Sequence, residues 1–99
     1  MALLLGTDIG TTGTKTILVS DSGEIISLAY MGYKTYRDMP SHAEQDAEDW
    51  WKTLVGTVRE CIKDLDGKDE IVAISMSTQG GSMVPVDENC TPLMRAAVW

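Results

Sequence analysis

A short glycine- and threonine-rich turn near the start of the chain carries the residues best suited to chemistry. Its candidate ligand residues are Asp8, Gly10, Thr11, Thr12, Gly13 and Lys15. Glycine lets the backbone approach a ligand closely, and N–H groups exposed in such a turn form an anion-binding concavity. Asp8, at the end of an apolar run, offers its carboxylate to a hydrated Mg²⁺, and Lys15 offers a point charge to a phosphate oxygen. The pattern therefore predicts a site for a metal-chelated polyphosphate.

This turn matches neither of two familiar nucleotide-binding signatures. It lacks the Gly-Lys-Ser/Thr ending of a Walker loop, and its glycine spacing differs from that of a dinucleotide-binding fold. An ordinary β-hairpin with a solvated polar turn remains the alternative, because glycine and threonine are common turn residues.

A second candidate segment, Gln79-Gly80-Gly81, follows an apolar run at residues 71–76. Open α/β sheets commonly bind ligands beyond the carboxyl ends of their strands, so Gln79, Gly80 and Gly81 are candidate substrate-binding residues. A merely flexible turn is the alternative.

Apolar runs separated by turn residues define the elements that must position these segments. Strands are predicted at 3–8, 15–20, 24–30, 71–76 and 83–87, the last an edge or irregular strand because it contains Pro85. A helix is predicted to begin after the N-cap Asp46 and to end at Asp66-Gly67. Its predicted apolar stripe is Trp51, Leu54, Val55, Val58, Cys61, Ile62 and Leu65.

The order β-β-β-α-β predicts an α/β fold with a mixed sheet, because a strand after a crossover helix pairs in parallel. Such an order opens a ribonuclease-H-like domain, although other α+β meanders share it. Residues 31–45 show no sustained period and are predicted to be an extended connection packed against the domain.

Several other conspicuous side chains receive structural interpretations. His42 has no cysteine or second histidine beside it, so we assign it to the surface. Trp51 is expected in the core and Trp50 partly in solvent. The carboxylates of Glu44, Asp46, Glu48 and Asp49 are attributed to the start of the helix rather than to a metal.

Composition narrows the class of partner. Eight basic and fifteen acidic residues give a net charge of −7, which disfavours nucleic acid and anionic membranes. Residues 1–5 are too short for a signal sequence or a membrane span. Cys61 and Cys90 lack metal-ligand spacing, and we expect them to be reduced thiols in a cytoplasmic protein.

Four segments together resemble a known family. They are Asp8 to Lys15, Ala43 to Trp51, Ile74 to Gly81 and Pro92 to Trp99. The first resembles the phosphate-binding hairpin of the FGGY carbohydrate kinases, which include xylulokinase, gluconokinase and glycerol kinase and belong to the actin and hexokinase superfamily of ATPases. The second resembles the start of that family's first helix, and the third resembles its sugar-site strand.

The resemblance implies an ATP- and Mg²⁺-dependent kinase acting on a small sugar or polyol. It also implies that residues 1–99 are a partial N-terminal domain, with no catalytic residue among them, because the family's general base lies in a later part of the enzyme. Gly80 and Gly81 stand where xylulokinases carry Met-His and glycerol kinases Arg-Glu, so no particular substrate carries over. A non-catalytic actin-like ATP-sensing or assembly module and a small structural domain remain the alternatives.

The predicted strand at residues 71–76 has apolar residues at both odd and even positions, so both of its faces are apolar, which suits burial on both sides of the sheet. A single helix cannot cover both. The chain by itself is therefore expected to form a homo-oligomer through the uncovered face or edge.

Overall fold

The computed structural model describes residues 2–98, so Trp99, at the end of the Pro92–Trp99 segment, lies outside the described residues. The strands are β1 Ala2–Ile9, β2 Gly13–Ser20, β3 Ile25–Gly32, β4 Glu44–Gln45, β5 Glu70–Thr78 and β6 Ala96–Ala97, and the helix is α1 Ala47–Ile62. Four strands form one sheet in the order β3-β2-β1-β5, and β4 pairs with β6 in a second, two-stranded sheet.

The large sheet confirms the predicted α/β fold with a mixed sheet. Strands β1, β2 and β3 form an antiparallel meander, and β5 returns after α1 to pair in parallel with β1. The carboxyl ends of β1 and β5 consequently lie side by side, with Ile9 opposite Thr78. This arrangement places the glycine–threonine turn and Gln79 at the same edge of the sheet.

Helix α1 begins where the sequence predicts, because the Asp46 carboxylate accepts a hydrogen bond from the N–H of Glu48 at 3.0 Å. It ends at Ile62, four residues before the predicted Asp66-Gly67 stop. The side chains of Val58, Ile62 and Leu65 pack against the buried cluster formed by Leu3, Leu5, Leu18, Ala29 and Cys61.

The predicted core position of Trp51 is wrong, since 62% of this residue is exposed. The face of α1 that meets the sheet is instead rich in threonine. Thr53 and Thr57 are buried and hydrogen-bond Thr14 at 2.7 Å and Thr16 at 2.8 Å on β2. These hydroxyls also bond carbonyl groups one turn back in the helix, which satisfies their polar atoms inside the interface.

The strand predicted at residues 83–87 does not form. Met83 and Val86 make only isolated bridges, to Ala97 and Pro92, because Pro85 cannot donate to a ladder. The connection between β3 and α1 is held by paired hydrogen bonds between the backbones of Tyr36 and Glu44, as an extended segment packed on the domain would be.

Helix α1 packs mainly on β2 and β3, and the β5 edge of the sheet remains open. Val72, Ile74 and Met76 on β5 are each about half exposed (54%, 55% and 51%).

Between residues 2 and 98 the helix is not long and apolar enough to cross a bilayer.

Candidate functional site

The turn between β1 and β2 leaves two adjacent backbone N–H groups without a hydrogen-bond partner among the described residues. Gly10 donates to the carbonyl of Gly13 at 2.9 Å and closes the turn. Within residues 2–98 the N–H groups of Thr11 and Thr12 make no hydrogen bond, and both residues are exposed. Two adjacent free donors in an exposed turn can form an anion-binding concavity.

Asp8 and Lys15 flank this turn. They are direct partners across the β1–β2 pair, so both side chains lie on one face of the sheet, and both are exposed. With Gly6, Ile17, Ser75 and Ser77 they line a cavity of about 310 Å³ on the face opposite α1. A carboxylate and an ammonium group are thus available beside the two free amides.

Two tyrosines, one in β3 and one directly after it, hydrogen-bond to residues of the turn. The Tyr33 hydroxyl donates to the carbonyl of Gly10 and lies 3.3 Å from that of Gly13. The Tyr30 hydroxyl donates to Thr12 Oγ1 at 3.1 Å. The turn is therefore fixed by side chains from a neighbouring strand and does not depend on its own sequence alone.

Burial raises the pKa of Tyr33 above its ordinary value of 10.0, and the charge of Asp8 and the phenol of Tyr30 act in the same direction, against a hydrogen bond from Thr14. The phenol therefore remains a hydrogen-bond donor below pH 10. At neutral pH, Tyr33→Phe should lower the free energy of unfolding by about 1 kcal/mol. This contribution is present below the unfolded pKa of about 10 and is lost as the pH rises through the higher folded pKa.

Denaturant titrations of the wild-type chain and Tyr33→Phe between pH 7 and pH 11 check this prediction. The two curves should converge at the alkaline end. Tyr36→Phe is the matched control, because the Tyr36 ring stacks on Arg95 at 3.5 Å and the phenylalanine would retain that ring. A Tyr33→Phe difference that grows with pH would contradict the assignment.

Glycines 10 and 13 serve different purposes. A Cβ at Gly13 would lie 2.5 Å from the Tyr30 hydroxyl and 2.6 Å from the Met31 carbonyl, so the fold itself requires glycine there. A Cβ at Gly10 would meet nothing closer than 3.4 Å, and its φ is not positive. No described residue therefore requires glycine at position 10 on steric grounds, and the missing side chain leaves the backbone of the turn accessible.

Gln79 joins the turn at the sheet edge. Its backbone N–H donates to the carbonyl of Ile9 at 2.9 Å, and its side-chain Nε2 donates to Gln45 Oε1 at 2.8 Å. Together with Ile9, Trp50, Thr78 and Ser82 it lines a second cavity, of about 270 Å³. Gln79 Oε1 and Ser82 Oγ are buried with no hydrogen-bond partner among the residues described.

The two glycines of the Gly80-Gly81 pair also differ in whether the structure explains them. Gly81 adopts a φ of 71°, a left-handed conformation that favours glycine. At Gly80 an added Cβ would have no heavy atom within 4 Å. The chain thus leaves open space beside Gln79, and only Gly81 is explained by a turn conformation.

Two residues of this region carry no sequence signal of their role. Gln45 is buried and bonds both Thr11 and Gln79, although the sequence marks it only as part of the segment before the helix. Ser82 follows the glycine pair without a recognisable pattern. Their roles depend on contacts with residues far away in the sequence, and a single sequence does not reveal such contacts.

The histidine, the two cysteines and the acidic residues near the start of the helix have other surroundings. His42 is exposed, and Cys61 and Cys90 are free thiols, the first buried and the second exposed. Glu44 lies 3.9 Å from Arg95, while Asp46 caps the helix. From residue 2 to residue 98, no group of three histidine, cysteine or acidic side chains is placed to hold a metal ion.

The mixed sheet with its glycine–threonine hairpin has the actin-like ATPase fold, as its solved structural neighbours do. Residues 3–99 match the sequence profile of the N-terminal domain of the FGGY family of carbohydrate kinases. The chain belongs to this family.

Individual relatives agree with the profile. The xylulose kinase of Staphylococcus epidermidis is 35% identical over 98 residues, which are 98% of this chain and 20% of that protein. The gluconokinase of Bacillus subtilis is 35% identical over 96 residues, 97% of this chain and 18% of that protein. The crystal structure of ligand-bound xylulose kinase from Lactobacillus acidophilus superposes with a TM-score of 0.91 at 25% identity, covering 100% of this chain and 20% of that one. The chain thus spans about a fifth of the length of these relatives.

Proposed function

We propose that this chain is the N-terminal, phosphate-binding part of a longer ATP-dependent carbohydrate kinase. That enzyme transfers the γ-phosphoryl group of MgATP to a hydroxyl of a small sugar or polyol. The observation that carries the proposal is the pair of free N–H groups at Thr11 and Thr12, flanked by Asp8 and Lys15. Membership of the FGGY family and the names of its relatives support it.

On the nucleotide side, Gly10, Thr11, Thr12 and Gly13 would surround the phosphates with backbone and hydroxyl donors. Lys15 would neutralise charge on a phosphate oxygen. An exposed carboxylate at a strand end fits Mg²⁺, which commonly keeps its waters and takes one or two carboxylates, so Asp8 would hold the ion through a water molecule. When bound, the ion supplies positive charge to the transferring phosphoryl group.

On the carbohydrate side, Gln79, Gly80 and Gly81 would line the acceptor. The buried Gln79 Oε1 suits a hydroxyl donor. Open space at Gly80 suits an acceptor that reaches toward the backbone. Xylulose, gluconate and glycerol are the probes that the family's members suggest.

We assign no general base to residues 1–99. The base and the adenosine pocket would come from the part of the enzyme that follows, and that part would form the other side of a cleft in which this chain provides one wall. Phosphoryl transfer depends on positioned charge and on exclusion of water, which one wall cannot provide. We also propose a cytoplasmic location, which the free thiols support, and no nucleic-acid or membrane partner, which the net charge of −7 supports.

A coupled assay of ADP formation tests the function. The complete polypeptide should phosphorylate at least one of xylulose, gluconate and glycerol, and residues 1–99 alone should phosphorylate none. Calorimetry of the isolated chain should detect weak or no MgADP binding without adenine selectivity. Turnover by residues 1–99 that Thr12→Ala abolishes would overturn the assignment of the base, and tight MgATP binding by a complete but inactive protein would favour an ATP-sensing module.

We further propose that the isolated 99-residue chain self-associates through β5. Val72, Ile74 and Met76 are each about half exposed, and β5 is an open edge of the sheet. Light scattering at high concentration should detect a dimer or larger species. Ile74→Lys should shift the chain toward monomer, whereas Leu93→Lys, at an exposed position outside the sheet, should not. A stable monomer with a cooperative melt would contradict this proposal.

A further inference from the structure

The side-chain amide of Gln45 connects the two halves of the candidate site. Gln45 lies in β4 and is 1% exposed. Its Nε2 donates to the Thr11 carbonyl at 2.9 Å and to Thr35 Oγ1 at 3.0 Å. Its Oε1 accepts from Trp50 Nε1 at 3.0 Å and from Gln79 Nε2 at 2.8 Å. All four hydrogen-bonding positions of this amide are therefore filled.

The partners themselves fix which way the Gln45 amide points. A carbonyl such as that of Thr11 only accepts, and the indole N–H of Trp50 only donates. Exchanging the nitrogen and oxygen of Gln45 would break both bonds at once. A buried amide with four matched partners is held in one orientation, because any other leaves buried polar atoms unpaired.

The orientation of Gln45 in turn fixes that of Gln79. Since Gln45 presents an oxygen, Gln79 must present its Nε2 in return. The oxygen of the Gln79 amide is then the atom left over, and it is buried without a partner within residues 2–98. Gln79 lines the cavity together with Trp50 and Ser82. The unpaired oxygen of its amide therefore lies beside the space where a carbohydrate would bind.

We propose that Gln45 is a positioning residue for both substrates. It holds the Gln79 amide so that Oε1 can accept a hydrogen bond from a carbohydrate hydroxyl. Through its Nε2 it also anchors the Thr11 carbonyl and hence the phosphate-binding turn. This inference rests on the proposed kinase function, because it assigns the two ends of one hydrogen-bonded relay to the two substrates of that reaction.

A double-mutant cycle in the complete enzyme tests the relay. At saturating MgATP, where the effect of Gln45 on the phosphate-binding turn is suppressed, Gln45→Met and Gln79→Met should each lower kcat/KM for the best of xylulose, gluconate and glycerol by about tenfold, the loss expected for one or two buried hydrogen bonds. If Gln45 acts through Gln79, the double variant should also lose only about tenfold. Losses that multiply to about a hundredfold, or an unchanged kcat/KM in Gln45→Met, would overturn the proposal.

Two further variants separate positioning from stability. Gln45→Glu keeps an acceptor for Trp50 and Gln79 but loses the donor to Thr11, so KM for MgATP should rise while KM for the carbohydrate stays within about twofold. Thr35→Val removes one acceptor of Gln45 Nε2 but leaves the bonds of Gln45 to Thr11, Trp50 and Gln79, so both KM values should stay within about twofold. Equal effects of Gln45→Glu on the two KM values would contradict the assignment of the two ends.

A measurement without turnover keeps the inference distinct from the proposed function. In the 99-residue chain, the side-chain NH₂ protons of Gln79 should exchange slowly with water, and Gln45→Met should accelerate that exchange by at least about tenfold. A complete protein with no kinase activity would refute the proposed function and, with it, the roles given to the two substrates. Unchanged exchange in Gln45→Met would refute the positioning of Gln79 whatever the activity.

Discussion

Replacing Lys15 with alanine in the complete enzyme is expected to lower kcat by about a hundredfold or more while leaving thermal stability nearly unchanged. The side chain is exposed and lies beside Asp8 at the mouth of the turn, so it adds little to the fold. In the reaction it would stabilise the charge of the transferring phosphoryl group, and loss of one such preorganised contact commonly costs about 10² to 10³ in rate. Asp8→Asn should cause a loss of similar size.

Steady-state kinetics and melting curves of matched variants check this prediction. Lys52→Ala removes an equal charge from an exposed position on α1, and Asp21→Asn does so from the turn after β2. Both controls should keep wild-type kcat. If Lys15→Ala and Asp8→Asn also kept it, the turn would not be the phosphate site, and the alternative of a purely structural hairpin would stand.

The second large effect distinguishes the two glycines of the turn. Gly13→Ala would place a methyl group 2.5 Å from the Tyr30 hydroxyl and 2.6 Å from the Met31 carbonyl. The backbone of a paired strand cannot shift to relieve such a contact without a large cost in free energy. We expect the free energy of unfolding to fall by about 2 to 3 kcal/mol, as in overpacked cores. Gly10→Ala should cost less than about 1 kcal/mol, because its methyl group has no neighbour closer than 3.4 Å.

Activity should follow a different order from stability. In the complete enzyme Gly10→Ala should remain folded and yet bind MgATP at least about tenfold more weakly, because the methyl group occupies space that a phosphate would approach. Gly67→Ala, where an added Cβ has no neighbour within 4 Å, is the control and should change neither property. Chemical denaturation and nucleotide titration measure the two effects. A Gly10→Ala variant with unaltered MgATP affinity would remove the functional reason for this glycine.

Much of the site could be predicted because its signals are local. The glycines, threonines and flanking apolar runs of residues 3–20 specify a hairpin within one short window, and Asp46 specifies the start of α1. The parallel return of β5 follows from the strand–helix–strand order. These features place Gln79 beside the turn without any knowledge of side-chain packing.

The features that sequence reasoning missed depend on distant partners. A stripe of apolar residues predicted a buried Trp51, but the helix turns Thr53 and Thr57 to the sheet because Thr14 and Thr16 on β2 offer hydroxyl partners. Strands β4 and β6 have two residues each and leave no periodic pattern. The role of Gln45 depends on a contact with Gln79, 34 positions away.

The central claim is that the turn from Gly10 to Lys15 receives the phosphates of ATP. Hydrogen–deuterium exchange of the complete enzyme, with and without MgADP, tests it most directly at peptide resolution. The account predicts that MgADP slows exchange of the amides of residues 10–15, where Thr11 and Thr12 have free N–H groups. In Lys15→Ala this protection should weaken. Protection by MgADP elsewhere in the enzyme, with exchange at residues 10–15 unchanged, would contradict it.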